Sequence, residues 1–200
     1  MKLQLRTLIS KSEYVNHRLL TIILFCFLTG LTTGVFNEMQ LSADAKVSME
    51  DFLNSNVLSV SFKGEGLSAL FLKSAATNGG LFLIILLAGV TIIGFPAALP
   101  VLAYKGAALG FASALLIDTL GAKGIFLVAL KLLPPNIFLI PALCCASAAS
   151  FKFGLSLLCG GRRNIKKNLA LKAGPYLIFQ ASMGVLVLAG CLVESLISLL

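Results

Sequence analysis

Charge is scarce in this chain of 200 residues: Asp, Glu, Lys and Arg make up 12% of it, against 58% hydrophobic residues and a mean hydropathy of +0.98. Soluble globular domains carry about 25% charged residues, and a chain this poor in charge cannot cover its own surface in water. Histidine occurs once, at His17, in an N-terminal stretch ahead of the first long apolar run. That excludes an HExxH zinc site or a Ser-His arrangement within the apolar segments. No GxSxG elbow and no GxxxxGK phosphate loop occurs either. The five cysteines, Cys26, Cys144, Cys145, Cys159 and Cys191, form no CxxC pair and lie in or beside apolar stretches. They read as small packing residues rather than a disulfide framework or a metal set.

What remains is a membrane composition. The net charge of +8 sits in short clusters beside long apolar runs, which is how membrane topology is specified. Its partner is therefore the lipid bilayer and its anionic headgroups, and nucleic acid is not expected. The length suits one integral membrane domain over 1–200.

Along the chain, 1–18 is a basic cytoplasmic tail and 19–36 a first span. Ala43-Asp44-Ala45 mimics a signal cleavage site, but polar residues separate it from the apolar run, so 19–36 reads as an uncleaved anchor. Residues 37–77 form an extracytoplasmic loop with short amphipathic helices. One is announced by Ser48 and Asp51 with Met49, Phe52 and Leu53 on one face, a second by Leu67, Leu70 and Phe71. A second span covers 78–104 and is kinked by Pro96 and Pro100, with Lys105 at its cytoplasmic end. A short third span follows at 106–121, then an outer linker at 122–135, amphipathic or re-entrant. Pro134 and Pro135 break the chain before a fourth span at 136–159. A basic cytoplasmic loop at 160–174 and a fifth span at 175–197 complete the chain.

The expected fold is thus all-α, a polytopic bundle of five transmembrane helices with the N-terminus inside and the C-terminus outside. Charge placement supports it. The inner side receives the N-terminal basics, Lys105 and the cluster Arg162, Arg163, Lys166, Lys167 and Lys172, with Glu13 as its one acid. The other seven acids, from Glu38 to Glu194, fall outside, as the positive-inside rule requires. Four or six spans would place one basic cluster on the wrong side.

Within the spans, Lys152 is the candidate intramembrane charge, and it reads as a lysine snorkelling to the interface. Asp118 and Glu194 read as solvated helix ends rather than paired carboxylates. Gly30-xxx-Gly34, Gly106-xxx-Gly110 with Ala114, and Ala146, Ser147, Ala149 and Ser150 are small-residue faces suited to close helix packing. Such faces leave room for another membrane protein or a second copy of the chain.

Three stretches also carry a resemblance: Gly89-Val-Thr-Ile-Ile-Gly-Phe-Pro96, Tyr104-Lys-Gly-Ala-Ala-Leu-Gly110-Phe, and Leu132-Leu-Pro-Pro-Asn-Ile-Phe-Leu-Ile-Pro141. In this order and spacing they resemble stage II sporulation protein M, over roughly residues 79–160. The resemblance singles out Pro96, Lys105, Gly106, Gly110, Pro134, Pro135, Asn136 and Pro141. It implies a sporulation protein of the cell membrane, in the mother-cell or septal membrane. The implied role is a non-enzymatic scaffold for engulfment, without cofactor or metal. The implied partners are the peptidoglycan hydrolases stage II sporulation proteins D and P. Wider relatives often carry a histidine after the proline and a glutamate soon after; here Asn136 and the apolar run Ile137 to Ile140 stand there. On physical grounds Asn136 is expected to cap the fourth span by accepting from freed backbone N–H groups. The rival reading is a small-molecule transporter or permease subunit, suggested by the proline-broken helices. A polar cavity at mid-depth would favour it, and a dry small-residue core would favour the scaffold.

Overall fold

A computed structural model describes residues 17–42, 45–46, 48, 66–91, 95–159 and 165–198. Among them the regular structure is entirely helical: α1 His17–Met39, α2 Leu67–Val90, α3 Ala98–Leu120, α4 Ala122–Leu127, α5 Leu133–Cys159 and α6 Ile165–Ser198. A single 3₁₀ turn, Phe95–Ala97, precedes α3, and a π turn, Val128–Leu132, fuses α4 to α5. Five stretches, with α4 and α5 counted as one, are long and apolar enough to cross a membrane. At 1.5 Å per residue a helix of 23 residues such as α3 spans about 35 Å, enough for a bilayer core of about 30 Å.

The helix limits differ from those read off the sequence in ways that matter. The second and third spans do not meet at Lys105. α2 starts at Leu67 and ends at Val90, so Leu67, Leu70 and Phe71 belong to its first turns rather than to a separate interfacial piece. Pro96 and Pro100 do not kink a long helix. Pro96 lies in the 3₁₀ turn and Pro100 in the first turn of α3, where a missing N–H is harmless because no partner carbonyl precedes it. The piece at 48–53 lies outside the described residues.

The 122–135 stretch is helix, not an outer linker. Gly121, at φ 56 and ψ −127, makes the hairpin between α3 and α4, a backbone conformation that a Cβ would oppose. Gly124 then packs against the carbonyl of Leu116. Nor do Pro134 and Pro135 break the chain. Lacking N–H groups, they cannot donate to the carbonyls of Leu130 and Lys131, so the helix widens instead of stopping. Leu133 N–H reaches back five residues to the Val128 carbonyl, and α5 continues from there. Residues 165–174 likewise extend the last helix.

The largest interface joins α1 to α3; α5 with α6, and α2 with both, form the other half of the bundle. The α1–α3 seam is built by glycine. Gly30 and Gly34 face the backbone of Ala103 and Ala107, while Gly106 and Gly110 face the carbonyls of Phe27 and Leu31. Positions rise together on both helices, so α1 and α3 run parallel, as a first and a third span must. In lipid there is no hydrophobic drive between helices, and close backbone approach supplies dispersion contact instead. The core centres on Ile23, Ile85, Leu102, Leu139, Leu143 and Cys191, while Phe25, Leu72 and Val185 point outward, as lipid-facing residues do.

A candidate polar site within the bundle

Three polar groupings stand out in a molecule this apolar. One lies at the end where α1 gives way to the 40–66 segment. Lys46 Nζ is 2.6 Å from Asp118 Oδ2, at the close of α3, and 3.0 Å from Glu38 Oε1, at the close of α1. Glu38 is buried and that oxygen has no aligned hydrogen bond, so its contact with Lys46 is an ion pair. The hydrogen bond to Asp118, and after it the contact with Glu38, raise the Lys46 ammonium above its ordinary value. A cation from the helical residues 45–46 thereby ties two parallel helices at one end. Asp118 is not a merely solvated helix end.

The second lies deep. Lys105 sits on α3, thirteen residues short of Asp118, or about 20 Å along the helix axis. This corrects its expected place at a cytoplasmic helix end. Its ammonium donates to Asn78 Oδ1 at 2.6 Å; Asn78 Nδ2 donates to Glu194 Oε2 at 2.9 Å; Ser74 Oγ donates to the same oxygen at 2.6 Å. Asn78 is 2% exposed and lies at the middle of α2, so it bridges cation and carboxylate between α3 and α6. A charge within a membrane is costly unless paired, and here an amide with one donor side and one acceptor side serves both partners at once. Glu194 is therefore part of an intramembrane relay, not a solvated terminus, and Asp118 belongs to a different grouping.

The third secures the opposite end. Tyr176 Oη donates to the Leu86 carbonyl at 2.9 Å, and Ser150 Oγ to the Ile85 carbonyl at 2.8 Å. Gln180 Nε2 reaches the Ala146 carbonyl, Ser150 Oγ and Tyr176 Oη at 2.9–3.1 Å. Phe153 stacks on Tyr176 with centroids 4.3 Å apart. The grouping clamps the last turns of α2 between α5 and α6. Gly89 lies tightly against Tyr176 and Ser150, leaving no room for a larger residue.

The sequence-predicted residues scatter among these features. Gly106 and Gly110 lie in the α1–α3 seam, and Pro96 at the entrance to α3. Pro134 and Pro135 lie in the first turn of α5, with the Pro135 carbonyl against Gly190 of α6, and Asn136 and Pro141 line a groove between α3 and α5. Asn136 does not cap a helix start. It sits inside a continuous helix, and its Nδ2 donates to the Leu132 carbonyl at 2.7 Å, the reverse of the expected polarity. The side-chain amide thus serves the last carbonyl of the π turn. Lys152 is half-buried on α5, and Lys105 takes the intramembrane place foreseen for it.

Sequence reasoning missed Ser74, Asn78, Tyr176 and Gln180. Each pair is spaced i, i+4 in an otherwise apolar span, which puts both side chains on one helix face; that was the available signal. Among the described residues no three His, Cys, Asp or Glu side chains gather into a metal-holding group. Among the described residues, grooves open between helices. One of roughly 420 Å³ lies between α2 and α6 and is lined by Gly79, Gly80 and Gly184. Another of roughly 580 Å³ lies between α3 and α5, beside Asn136. Both walls are overwhelmingly apolar.

Comparison with protein families matches residues 20–199 to the family described as stage II sporulation protein M. No curated protein and no solved structure matches the chain significantly. The family match covers all the helices that carry the three polar groupings, and the chain, a sporulation-related membrane protein, belongs to the stage II sporulation protein M family.

Proposed function

We propose that this protein is a non-enzymatic scaffold of the engulfment machinery. In this reading it sits in the mother-cell or septal membrane with its N-terminus in the cytoplasm. It holds stage II sporulation proteins D and P near the septal wall. The observation that carries the reading is the Lys46 clamp. By tying the first part of the polar segment to Glu38 and Asp118, it gives that segment a fixed base on two helix ends, as a docking surface needs. The glycine seam and the Ser150–Tyr176–Gln180 grouping support it as well, since they commit the interior's small and polar residues to holding helices together.

The test is to replace residues 47–65 with a Gly/Ser linker of equal length, leaving α2 and the clamp intact. Membrane insertion is expected to persist while co-purification of proteins D and P from sporulating cells is lost. Undiminished recovery of both would refute docking on this segment.

One observation favours a second reading, transport: the Lys105–Asn78–Glu194 relay places paired charges deep in the bundle, where transporters keep their ion sites. The double variant Lys105→Met, Glu194→Gln separates the two. A scaffold keeps engulfment and hydrolase recovery together, whether both survive or both fail. A transporter loses engulfment while still recovering the hydrolases.

A further inference from the structure

Lys131 lies in the π turn Val128–Leu132 that fuses α4 to α5. Among the described residues no hydrogen bond and no ion pair engages it. The residue is half-buried, and its Nζ is open at the protein surface rather than enclosed. The surface around it is hydrocarbon-facing. Leu130, Leu133, Ile137 and Phe138 are all exposed, and Phe138, two turns on, shares the helix face of Lys131.

Two counts give its depth. Lys131 is nine residues beyond Ala122, where α4 leaves the Gly121 hairpin, or about 13 Å into the bundle. Across that hairpin Gly124 is level with Leu116, which sets Lys131 level with Leu109, the midpoint of α3 Ala98–Leu120. Leu109 and Leu132 do line one groove. Either face of a bilayer core of about 30 Å is then about 15 Å away, while a lysine stem reaches about 6 Å. A lipid phosphate is out of its reach.

Nor does the chain itself hold a carboxylate for it. Of the eight acids, Glu38 and Asp118 pair with Lys46 at one end of the bundle. Glu13 precedes α1, and Asp44, Glu50, Asp51 and Glu65 lie between α1 and α2. Glu194 alone meets the middle layer, through Asn78, and there it serves Asn78, Ser74 and Lys105. That layer therefore sets two lysines, Lys105 and Lys131, against one carboxylate. An uncompensated charge at such depth is costly. A second copy of this chain would bring the same positive excess and so would not relieve it.

We propose that Lys131 is the docking point for a transmembrane helix of a membrane-anchored partner that carries a carboxylate near its middle. Pairing offsets the cost of both charges, and the exposed residues from Leu130 to Phe138 supply dispersion contact along the rest of the helix. The site stands on charge and depth alone. Only the identity of the partner rests on the scaffold reading.

The test uses the full chain in vesicles of phosphatidylethanolamine and phosphatidylglycerol near neutral pH. Two leucine-rich transmembrane peptides of about 20 residues are added, identical except for Glu or Gln at the centre. Each has a photoreactive leucine beside that position, and adducts are mapped by mass spectrometry. The Glu peptide is expected to label Leu130, Leu133 or Phe138 about ten-fold more than the Gln peptide, as a hydrogen bond between charged groups supplies. Lys131→Met is expected to erase the preference and Lys131→Arg to keep it. In Lys131→Glu a peptide with Lys at its centre is expected to be captured in place of the Glu peptide. The wild-type comparison and Lys131→Arg carry the test if the other two variants do not fold.

Equal labelling by the two peptides, adducts on other faces, or a preference that survives Lys131→Met overturns the proposal. So does a dimer of the chain that dissociates in Lys131→Met, or a preference for Glu seen only in vesicles without phosphatidylglycerol, which would make the lipid phosphate the partner. Recovery of proteins D and P from cells answers the separate question. If they never co-purify with the wild-type chain, the scaffold reading fails while the peptide result stands.

Discussion

Lys105 and Asn78 lie 27 positions apart, on different helices, and meet through a 2.6 Å hydrogen bond in the interior of the bundle. The bond fixes the relative height of α2 and α3, and through Glu194 that of α6. Asn78→Leu removes the bridge and leaves an ammonium and a carboxylate without their shared amide. A hydrogen bond to a charged group contributes about 1.5–3 kcal/mol, so the variant should lose about 2 kcal/mol or more of stability. Reversible unfolding in mixed micelles measures it. Adding Lys105→Met and Glu194→Leu should recover part of the loss, since replacing all the polar partners by apolar ones is far milder than stranding one. A triple variant no better than Asn78→Leu would show that the relay is not a coupled unit.

The glycines divide into two groups with opposite expectations. A Cβ on Gly106 would run into the Phe27 carbonyl, and one on Gly34 into Ala107 and Phe111, all backbone. Gly106→Ala should therefore force α1 and α3 apart and cost about 1–3 kcal/mol. Around Gly79 there is nothing within 4 Å, so Gly79→Ala should be neutral or slightly stabilising, because alanine is the better helix former. Thermal unfolding of the two variants side by side decides the point.

Tyr176→Phe keeps the ring stacked on Phe153 and removes only the hydroxyl, which bonds to the Leu86 carbonyl, Ser150 and Gln180. Ser150 keeps its own bond to Ile85, and Gln180 keeps those to Ala146 and Ser150. The expected loss is about 1 kcal/mol. Hydrogen exchange should show it as faster opening of the last turns of α2, with α1 and α3 unchanged.

How much of this was legible in the sequence depended on whether the deciding contact was local. The number of spans came from hydropathy together with charge placement, and Gly30, Gly34, Gly106 and Gly110 read as close-packing faces because they are small residues spaced four apart in apolar helices. That the two faces meet each other, as the α1–α3 seam, is a long-range pairing the pattern did not carry. The position of Lys105 did not come through. A lone lysine among apolar residues reads as a helix end, and its true partners, Asn78 and Glu194, are 27 and 89 positions away. Asn136 was misread for a related reason. Two prolines before an asparagine read as a stop and a cap, whereas tertiary packing of α4 against α3 keeps the helix going and turns the amide to the opposite use. Residues 47–65, which the proposed docking needs, carry amphipathic patterns in the sequence but, Ser48 apart, lie outside the described structure.

The Lys46 clamp makes a pH-dependent prediction whose sign follows from its cause. The two carboxylates raise the Lys46 ammonium above its ordinary value of 10.5. A group whose folded value is raised contributes fully while the pH is below the unfolded value and ceases to contribute as pH rises through the folded one. The clamp is therefore closed at neutral pH and opens only above about pH 10.5. A spin label at Ser42, beside the clamp, should be immobile from about pH 6 to 9 and gain mobility as pH climbs further. In Asp118→Asn, which removes the largest contribution, the label should be more mobile throughout, with its residual transition at lower pH. Raising the salt concentration should have a similar but weaker effect, since this ion pair is partly open to solvent. If the label's mobility is the same in Asp118→Asn as in the wild type, the contact does not hold the segment, and the fixed base proposed for docking is absent.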